Sequence, residues 1–405
     1  MRRPKALKRK LFRYIDVFAG CGGLALGFHQ AKWQGIFAIE KDSRAFETLQ
    51  YNLIKRKRHF RWPKWLPKRR YCINTLLKSY PEKLKELRGR IEVVAGGPPC
   101  QGFSLAAGRR NKDDFRNKLV NSYIRFVGLV RPKVIFFENV KGFTVGFKEG
   151  KSQGIPYSEK VLRRLRKLGY KDVQGRLMDF SAFGVPQRRT RFILIGTLKG
   201  NSNYYYEQVL KRRGVFLKRK NLPARACVKQ AISDLERRHG EFPSPDTKHF
   251  FAGHYGKSQT KFQERLRNGS EPKFPDSHRF SNHGPRTVKV FTRLLRFAKK
   301  NKKVPDEIRV KCGIKKRNIT VLSGSHISPT LTTHPDDYIH YSEPRILTVR
   351  EYARIQTFED WYEFKGQYTT GGERRIREVP RYTQLGNAIP PLFAELSGLV
   401  IKDMI

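Results

Sequence analysis

The stretch YIDVFAGCGGLALGFHQA, Tyr14 to Ala31, decides the fold. YIDVF is an apolar strand candidate, AGCGG is a turn, and LALGFHQA reads as the first turns of a helix. Gly20, Gly22 and Gly23 permit the tight turn and let the free N–H groups at the helix start approach an anionic or polar ligand. A second strand, GIFAIE, ends at Glu40, twenty residues past Gly20. An acid at that offset is where a nucleoside-binding βαβ unit holds ribose hydroxyls. The glycine spacing is G-x-G-G, not G-x-G-x-x-G, which suits an adenosine without a pyrophosphate. A purely structural turn explains the glycines equally well when they are taken alone.

Three later segments repeat the strand-then-loop pattern. IEVVA, bounded by glycines further on, reads as a buried strand and runs into GGPPCQGFS, Gly96 to Ser104. Loops at the carboxyl ends of such strands carry ligands in open α/β sheets. Cys100 stands in that loop after Pro98 and Pro99, which restrict the backbone, and a thiol so held can serve as a nucleophile. By residue type alone the favoured reading is a small buried thiol in a Pro/Gly turn. The strand KVIFF then delivers Glu138-Asn139-Val140, with Glu138 a candidate proton donor. Next, FSAFGVPQRRTRFILIGT presents Gln187, Arg189 and Arg191 just as a strand begins, the two arginines on alternating positions. An arginine pair of this kind also suits a solvated or phosphate-binding face.

The 405 residues carry 85 Lys+Arg against 35 Asp+Glu, a formal charge of +50. Such an excess points to a polyanion, nucleic acid above all, because bound phosphates release condensed counterions. The five cysteines include no C-x-x-C pair, so neither a disulfide framework nor a zinc site is indicated, and no metal is expected. No apolar run approaches the 18 or so residues of a membrane span. MRRPKALKRKLFR has the charge of a signal peptide without its apolar core, and a reducing, cytoplasmic setting is expected. KRKRHFRWPKWLPKRRY, residues 55–71, is either a solvated insertion or a DNA backbone contact. His278 and His283 read as solvated loop histidines. From about Asn201 the βαβ rhythm stops, and a basic, loop-rich region extends to about residue 340. Helical periodicity returns in TVREYARIQTF, where Thr348 and Glu351 form a capping box. The chain closes with RYTQLGNAIPPLFAELSGLVIKDM, a turn at Gly386-Asn387 followed by a helix.

The ordered set DVFAGCGG, Glu40, GGPPCQGFS, Glu138-Asn139-Val140, QRRTR, RILTVREYARIQTF and QLGNAIPP resembles the motif series of the DNA cytosine-5 methyltransferases. The resemblance implies an α/β fold of the S-adenosylmethionine-dependent, Rossmann-like kind: a mixed sheet with helices on both faces and a smaller irregular target-recognition domain. It divides the chain into a basic arm (1–13), a catalytic and cofactor-binding domain (14–200), a target-recognition domain (201–340) and a segment (341–405) that returns to the catalytic domain. By resemblance, Phe18, Gly20, Gly22, Gly23, Glu40, Pro98 and Asn387 bind S-adenosylmethionine, and Asn74 stands where the family has an acid for the adenine amino group. Cys100, Glu138, Arg189 and Arg191 carry the chemistry, while Gln101, Ser104, Asn139 and Gln187 contact the substrate. Pro329-Thr330-Leu331 resembles a short element common in recognition regions. The implied partner is double-stranded DNA with a flipped-out cytosine, the expected state a monomer, and the setting a restriction–modification system. A tRNA-methylating branch shares these motifs, and a catalytically idle DNA-binding protein would keep the fold.

Overall fold

The computed structural model describes residues 11–99, 118–146, 148–149, 152–268, 274–369 and 378–405. The chain runs through β1 (Arg13–Val17), β2 (Gln34–Ile39), β3 (Val93–Gly96) and β4 (Val134–Val140). A two-residue antiparallel pair follows, β5 (Lys148–Glu149) and β6 (Ser152–Gln153), and then β7 (Asp172–Asp179) and β8 (Thr190–Thr197). Six of these form one sheet in the order β2-β1-β3-β4-β8-β7. β1 to β4 pair in parallel, whereas β8 is antiparallel to both β4 and β7. The sheet is therefore mixed, and β8 alone is reversed.

Helices cover both faces, as β4 shows residue by residue. The Phe136 ring lies 6.3 Å from both Phe28 and Tyr205, while its neighbour Phe137 meets Tyr123 at 5.4 Å and Phe143 at 5.6 Å. Successive strand side chains point to opposite faces, so each phenylalanine serves a different layer. One layer holds helices Gly23–Gln30, Ser202–Arg219 and Pro391–Lys402; the other holds Ile73–Ser79, Pro81–Lys85, Lys118–Val130 and Tyr157–Lys167. Helix Ser202–Arg219 packs on the sheet although the sequence reading assigns it to the second domain. Its buried face is built from Tyr205, Tyr206, Val209, Phe216 and Leu217. The Tyr205 hydroxyl meets Ser397 Oγ at 2.8 Å, and Tyr206 donates to the Ile193 carbonyl at 2.8 Å. Tyrosines that hydrogen-bond at their tips bury well, and lysines and arginines between them mask the apolar period.

Residues 55–71 are not a solvated insertion. Phe60, Trp62, Leu66 and Tyr71 are buried, and Trp62 packs on Phe37 and Phe46. Arg61 N donates to Gly35 O at 2.7 Å and Tyr71 N to Glu40 O at 2.8 Å, so the segment is a strap along the open edge of β2. Covering an edge in this way prevents it from templating another chain.

Beyond the layered sheet, the second region carries short strand pairs, Glu241–Pro243 with Phe251–Gly253 and Thr320–Val321 with Tyr338–Ile339. Phe291, Leu294, Val304, Ile319, Val321 and Ile339 give it a small core of its own. Helix Val349–Ile355 ties it to the sheet domain. The expected capping box of Thr348 and Glu351 forms, and all seven helix residues are buried. Arg354 contacts Asp234 and Asp360 at 2.6 Å each, and Arg350 contacts Asp276 at 3.0 Å. His278 is buried, contrary to its reading as a solvated loop residue: Nδ1 meets Thr348 Oγ1 at 2.8 Å, and burial holds its pKa well below the usual histidine range. Gly386-Asn387, expected as a turn, forms the end of helix Arg381–Asn387, and the expected terminal helix follows at Pro391–Lys402. Among the described residues no helix is long and apolar enough to cross a membrane.

Candidate active site

Because β1, β3 and β4 run in parallel, their carboxyl ends share one edge, and the reversed β8 begins at that edge. Register places Val140 opposite Arg191 and Glu138 opposite Ile193. Glu138 and Arg191 are thus diagonal neighbours on one face. They form an ion pair, Nε to Oε1 at 3.1 Å, with each side chain 13% exposed. Burial raises the Glu138 pKa above the ordinary carboxylate value, against the opposing pull of Arg191 and Arg189. An acid with a raised pKa keeps its proton closer to neutral pH, which general acid chemistry requires.

The two glycines before the cysteine loop have packing causes. A Cβ on Gly96 would lie 2.5 Å from the Val17 carbonyl oxygen, and a Cβ on Gly97 would lie 2.8 Å from Glu138 Oε2. The loop therefore leaves β3 directly over the second oxygen of Glu138. Asn139 is buried; its Nδ2 donates to the Pro98 carbonyl at 3.3 Å and its Oδ1 accepts from Val140 N at 2.8 Å. This geometry ties the loop to β4 and leaves Asn139 facing protein partners. Cys100, Gln101 and Ser104 lie outside the described residues. Cys21, the cysteine of the glycine turn, is no rival nucleophile: burial pushes its thiol up to about 12.

On the other side of the edge, Phe18 has φ 63° and Gly20 φ 55°, left-handed geometry that is uncommon for phenylalanine and marks local strain. Gly20 N donates to Glu40 Oε2 at 2.9 Å and Asp42 N to Oε1 at 2.7 Å. Burial raises the Glu40 pKa, partly offset by these amides. Each carboxylate oxygen keeps a lone pair for a ribose hydroxyl. A Cβ on Gly20 would meet nothing within 4 Å, whereas on Gly22 it would strike Tyr362 Oη at 2.7 Å and on Gly23 the Ile389 carbonyl at 2.4 Å. Only Gly20 borders open space; Gly22 and Gly23 let the helix start approach the returning carboxyl-terminal segment. A held carboxylate beside an open glycine turn fits the adenosine part of S-adenosylmethionine. Asn74 Oδ1 accepts a hydrogen bond from the Ser122 hydroxyl at 2.5 Å.

Arg189 and Gln187 turn inward. Arg189 is 1% exposed and its Nη2 donates to the carbonyls of Gly386 at 2.9 Å and Ala388 at 3.1 Å, clamping the backbone on either side of Asn387. Asn387 itself is exposed. Gln187 is fully buried: Nε2 donates to Gln356 Oε1 at 3.2 Å and Oε1 accepts from Leu331 N at 3.0 Å. Arg188 N donates to Ser328 O at 2.8 Å and the Thr330 hydroxyl to Arg188 O at 2.5 Å, so Pro329-Thr330-Leu331 docks the second region onto the arginine loop.

Sequence reasoning missed three side chains here. Tyr362 donates to the Cys21 carbonyl at 2.5 Å, and Asp42 both caps helix Ser43–Leu49 and accepts from Val379 N at 3.1 Å. Asp42, just ahead of a helix, carries a readable cap signal; Tyr362 carries none. Asp16 is the third. It is 2% exposed, its Oδ2 has no hydrogen-bond partner among the described residues, and burial, with Glu40 nearby, raises its pKa from 3.8 to about 8.

Comparison with known proteins follows the same outline. The chain is similar to the type II methyltransferase M.DdeI of Desulfomicrobium norvegicum, at 30% identity over 94% of this chain and 86% of that one. It is similar also to M.XorII of Xanthomonas oryzae pv. oryzae, at 29% identity over 96% and 84%. Among solved structures, an Escherichia coli prophage protein described as a candidate DNA modification methyltransferase shares the fold with a TM-score of 0.64 at 22% identity, covering 97% of this chain and 99% of that one. The Schizosaccharomyces pombe Dnmt2 methyltransferase shares it at 0.52 and 15%, over 97% and 99%. The family model described as C-5 cytosine-specific DNA methylase matches residues 12–402. That match runs from the first strand to the last helix, and the chain belongs to the C-5 cytosine-specific DNA methylases.

Proposed function

We propose that this enzyme methylates carbon 5 of a flipped-out cytosine within a specific double-stranded DNA sequence, through a covalent bond from Cys100 to carbon 6. The observation that carries the reading is the Glu138–Arg191 pair, whose acid lies against Gly97 at the root of the Cys100 loop. Carbon 5 of cytosine is a poor nucleophile. Addition of the Cys100 thiolate at carbon 6 shifts the ring electrons so that carbon 5 becomes enamine-like, and a proton from Glu138 at ring nitrogen 3 stabilises that adduct. Arg191 orients Glu138 and faces the base oxygen, while Arg189 and Asn139 hold the surrounding backbone. S-adenosylmethionine, when bound beside Gly20 and Glu40, supplies the methyl group. Loss of the carbon 5 proton to water then re-forms the ring double bond between carbons 5 and 6 and expels the thiolate, and the nitrogen 3 proton returns to Glu138. Extrusion of the base from the duplex costs a few kcal/mol, offset by contacts in the site.

Duplex DNA carrying 5-fluorocytosine at the target tests this chemistry, since fluorine cannot leave as a cation. With S-adenosylmethionine present, the wild-type protein is expected to form a denaturant-resistant adduct, and Cys100→Ala to form none while binding DNA within about tenfold, because affinity rests mainly on phosphates. No adduct on a sequence that the enzyme methylates, or labelling of tRNA in place of DNA, would overturn the reading.

A further inference from the structure

The most one-sided charge in the chain lies away from the Glu138–Arg191 edge. Between Glu47 and Glu82 there is no acidic residue, and residues 55–70 hold nine lysines and arginines. All nine are exposed, yet the segment that carries them is the strap on β2, fixed by the buried Phe60, Trp62, Leu66 and Tyr71. Its charges are presented on a stiff support. The strap follows β2 from Gly35 to Glu40, a six-residue strand and hence about 20 Å, the rise of about six base pairs. β2 lies three strand spacings from β4, about 14 Å, with the strap further out still.

Local partners absorb little of this charge. Arg56 reaches Glu363 at 3.3 Å, and Lys57 lies over the Trp361 ring at 4.4 Å. Arg58, Arg61, Lys64 and Lys68 have no acidic partner among the described residues. Next to Lys57 opens a cleft of about 320 Å³ whose wall adds Lys32, while Lys220 and Arg265 there are paired with Glu395 and Glu359. Solubility needs charge, but not nine like charges crowded on one rigid edge, where mutual repulsion is relieved by a polyanion.

We propose that the strap is a second duplex-DNA surface, which grips the phosphates of a DNA segment other than the one presenting its cytosine to Glu138. The inference rests on the DNA reading above. Each neutralised phosphate contact contributes about 0.9 to the slope of log affinity against log salt. The Arg58→Gln/Arg61→Gln/Lys64→Gln/Lys68→Gln protein is therefore expected to lose about 3 to 4 from the magnitude of that slope on a duplex of about 40 base pairs. On a target-bearing duplex of about 10 base pairs, whose ends reach only about 17 Å from a central target, its slope and its single-turnover methylation should match wild type, which also reports intact folding. The two paired variants, Arg58→Gln/Arg61→Gln and Lys64→Gln/Lys68→Gln, should each lose about half as much. If excess short duplex binds wild-type protein at two per chain, the second segment can be a separate molecule; if only the long duplex reveals the strap, the segment flanks the target. An unchanged slope on the long duplex, or a strap effect seen with structured RNA and not with DNA, overturns the proposal and leaves the strap an edge guard. Failure of wild-type protein to methylate any duplex would instead strike the underlying DNA reading.

Discussion

Replacing Asp16 by Asn asks whether a protonated carboxyl lies beneath the glycine turn. Burial, with the charge of Glu40 behind it, raises the Asp16 pKa from 3.8 to about 8. The folded value lies above the unfolded one. The stability this contributes is fully present below about pH 4 and is lost progressively as pH rises toward 8, because the unfolded chain releases the proton while the folded chain must hold it. The slope is about 1.4 kcal/mol per pH unit, so between pH 5 and pH 8 the wild-type protein loses about 4 kcal/mol through this residue. Asn is nearly isosteric and cannot ionise, and the other buried acids, Glu40 and Glu138 included, remain in both proteins. Their contributions cancel in the comparison. Urea unfolding of both proteins at pH 5, 6.5 and 8 should show Asp16→Asn gaining on wild type by about 4 kcal/mol across the range. Parallel stability curves would refute the reasoning, for they would mean that Asp16 is ionised in the folded protein.

Two further outcomes follow from packing. Gly97→Ala places a methyl group 2.8 Å from Glu138 Oε2 and forces the acid to shift by roughly half an ångström, so kcat should fall about 10- to 100-fold with little change in Tm or DNA affinity. Single-turnover methylation within threefold of wild type would show that Glu138 is not used where it stands. Arg354→Met removes the guanidinium shared by Asp234 and Asp360, leaving the first to Arg267 and the second to Arg350 and Tyr255, and should cost about 2–4 kcal/mol. A loss below about 1 kcal/mol in denaturant unfolding would show that these remaining partners suffice for the two carboxylates.

The frame of the site was legible because it is written in local patterns. The strand, glycine turn and helix at Tyr14–Ala31, the acid at Glu40 and the acid at the end of KVIFF each depend on neighbours in sequence, and all appear where expected. What the sequence hid depends on partners far along the chain. By resemblance Arg189 carries chemistry and Gln187 contacts the substrate, yet their side chains turn to Gly386, Ala388, Gln356 and Leu331. His278 looked solvated because nothing near it reveals the Thr348 hydroxyl that permits its burial. Trp62 and Tyr205 were obscured because the basic residues of their segments break up the apolar pattern of the sequence.

The packing of the first helix on the last sets a schedule for synthesis. Trp33 Nε1 donates to the Gly398 carbonyl at 2.8 Å across 365 residues, and helix Gly23–Gln30 lies against Pro391–Lys402. At about 5–20 residues per second, the apolar flank of the first helix waits some 20–70 seconds for the element that covers it. Throughout that interval the nascent chain displays core surface to solvent, a natural client for a chaperone. Arg189 likewise has no Gly386 carbonyl to grasp until 197 further residues have been added. A ribosome-bound chain can thus fold its sheet early, but the flank of its first helix and its arginine loop stay incomplete until residues 386–402 emerge.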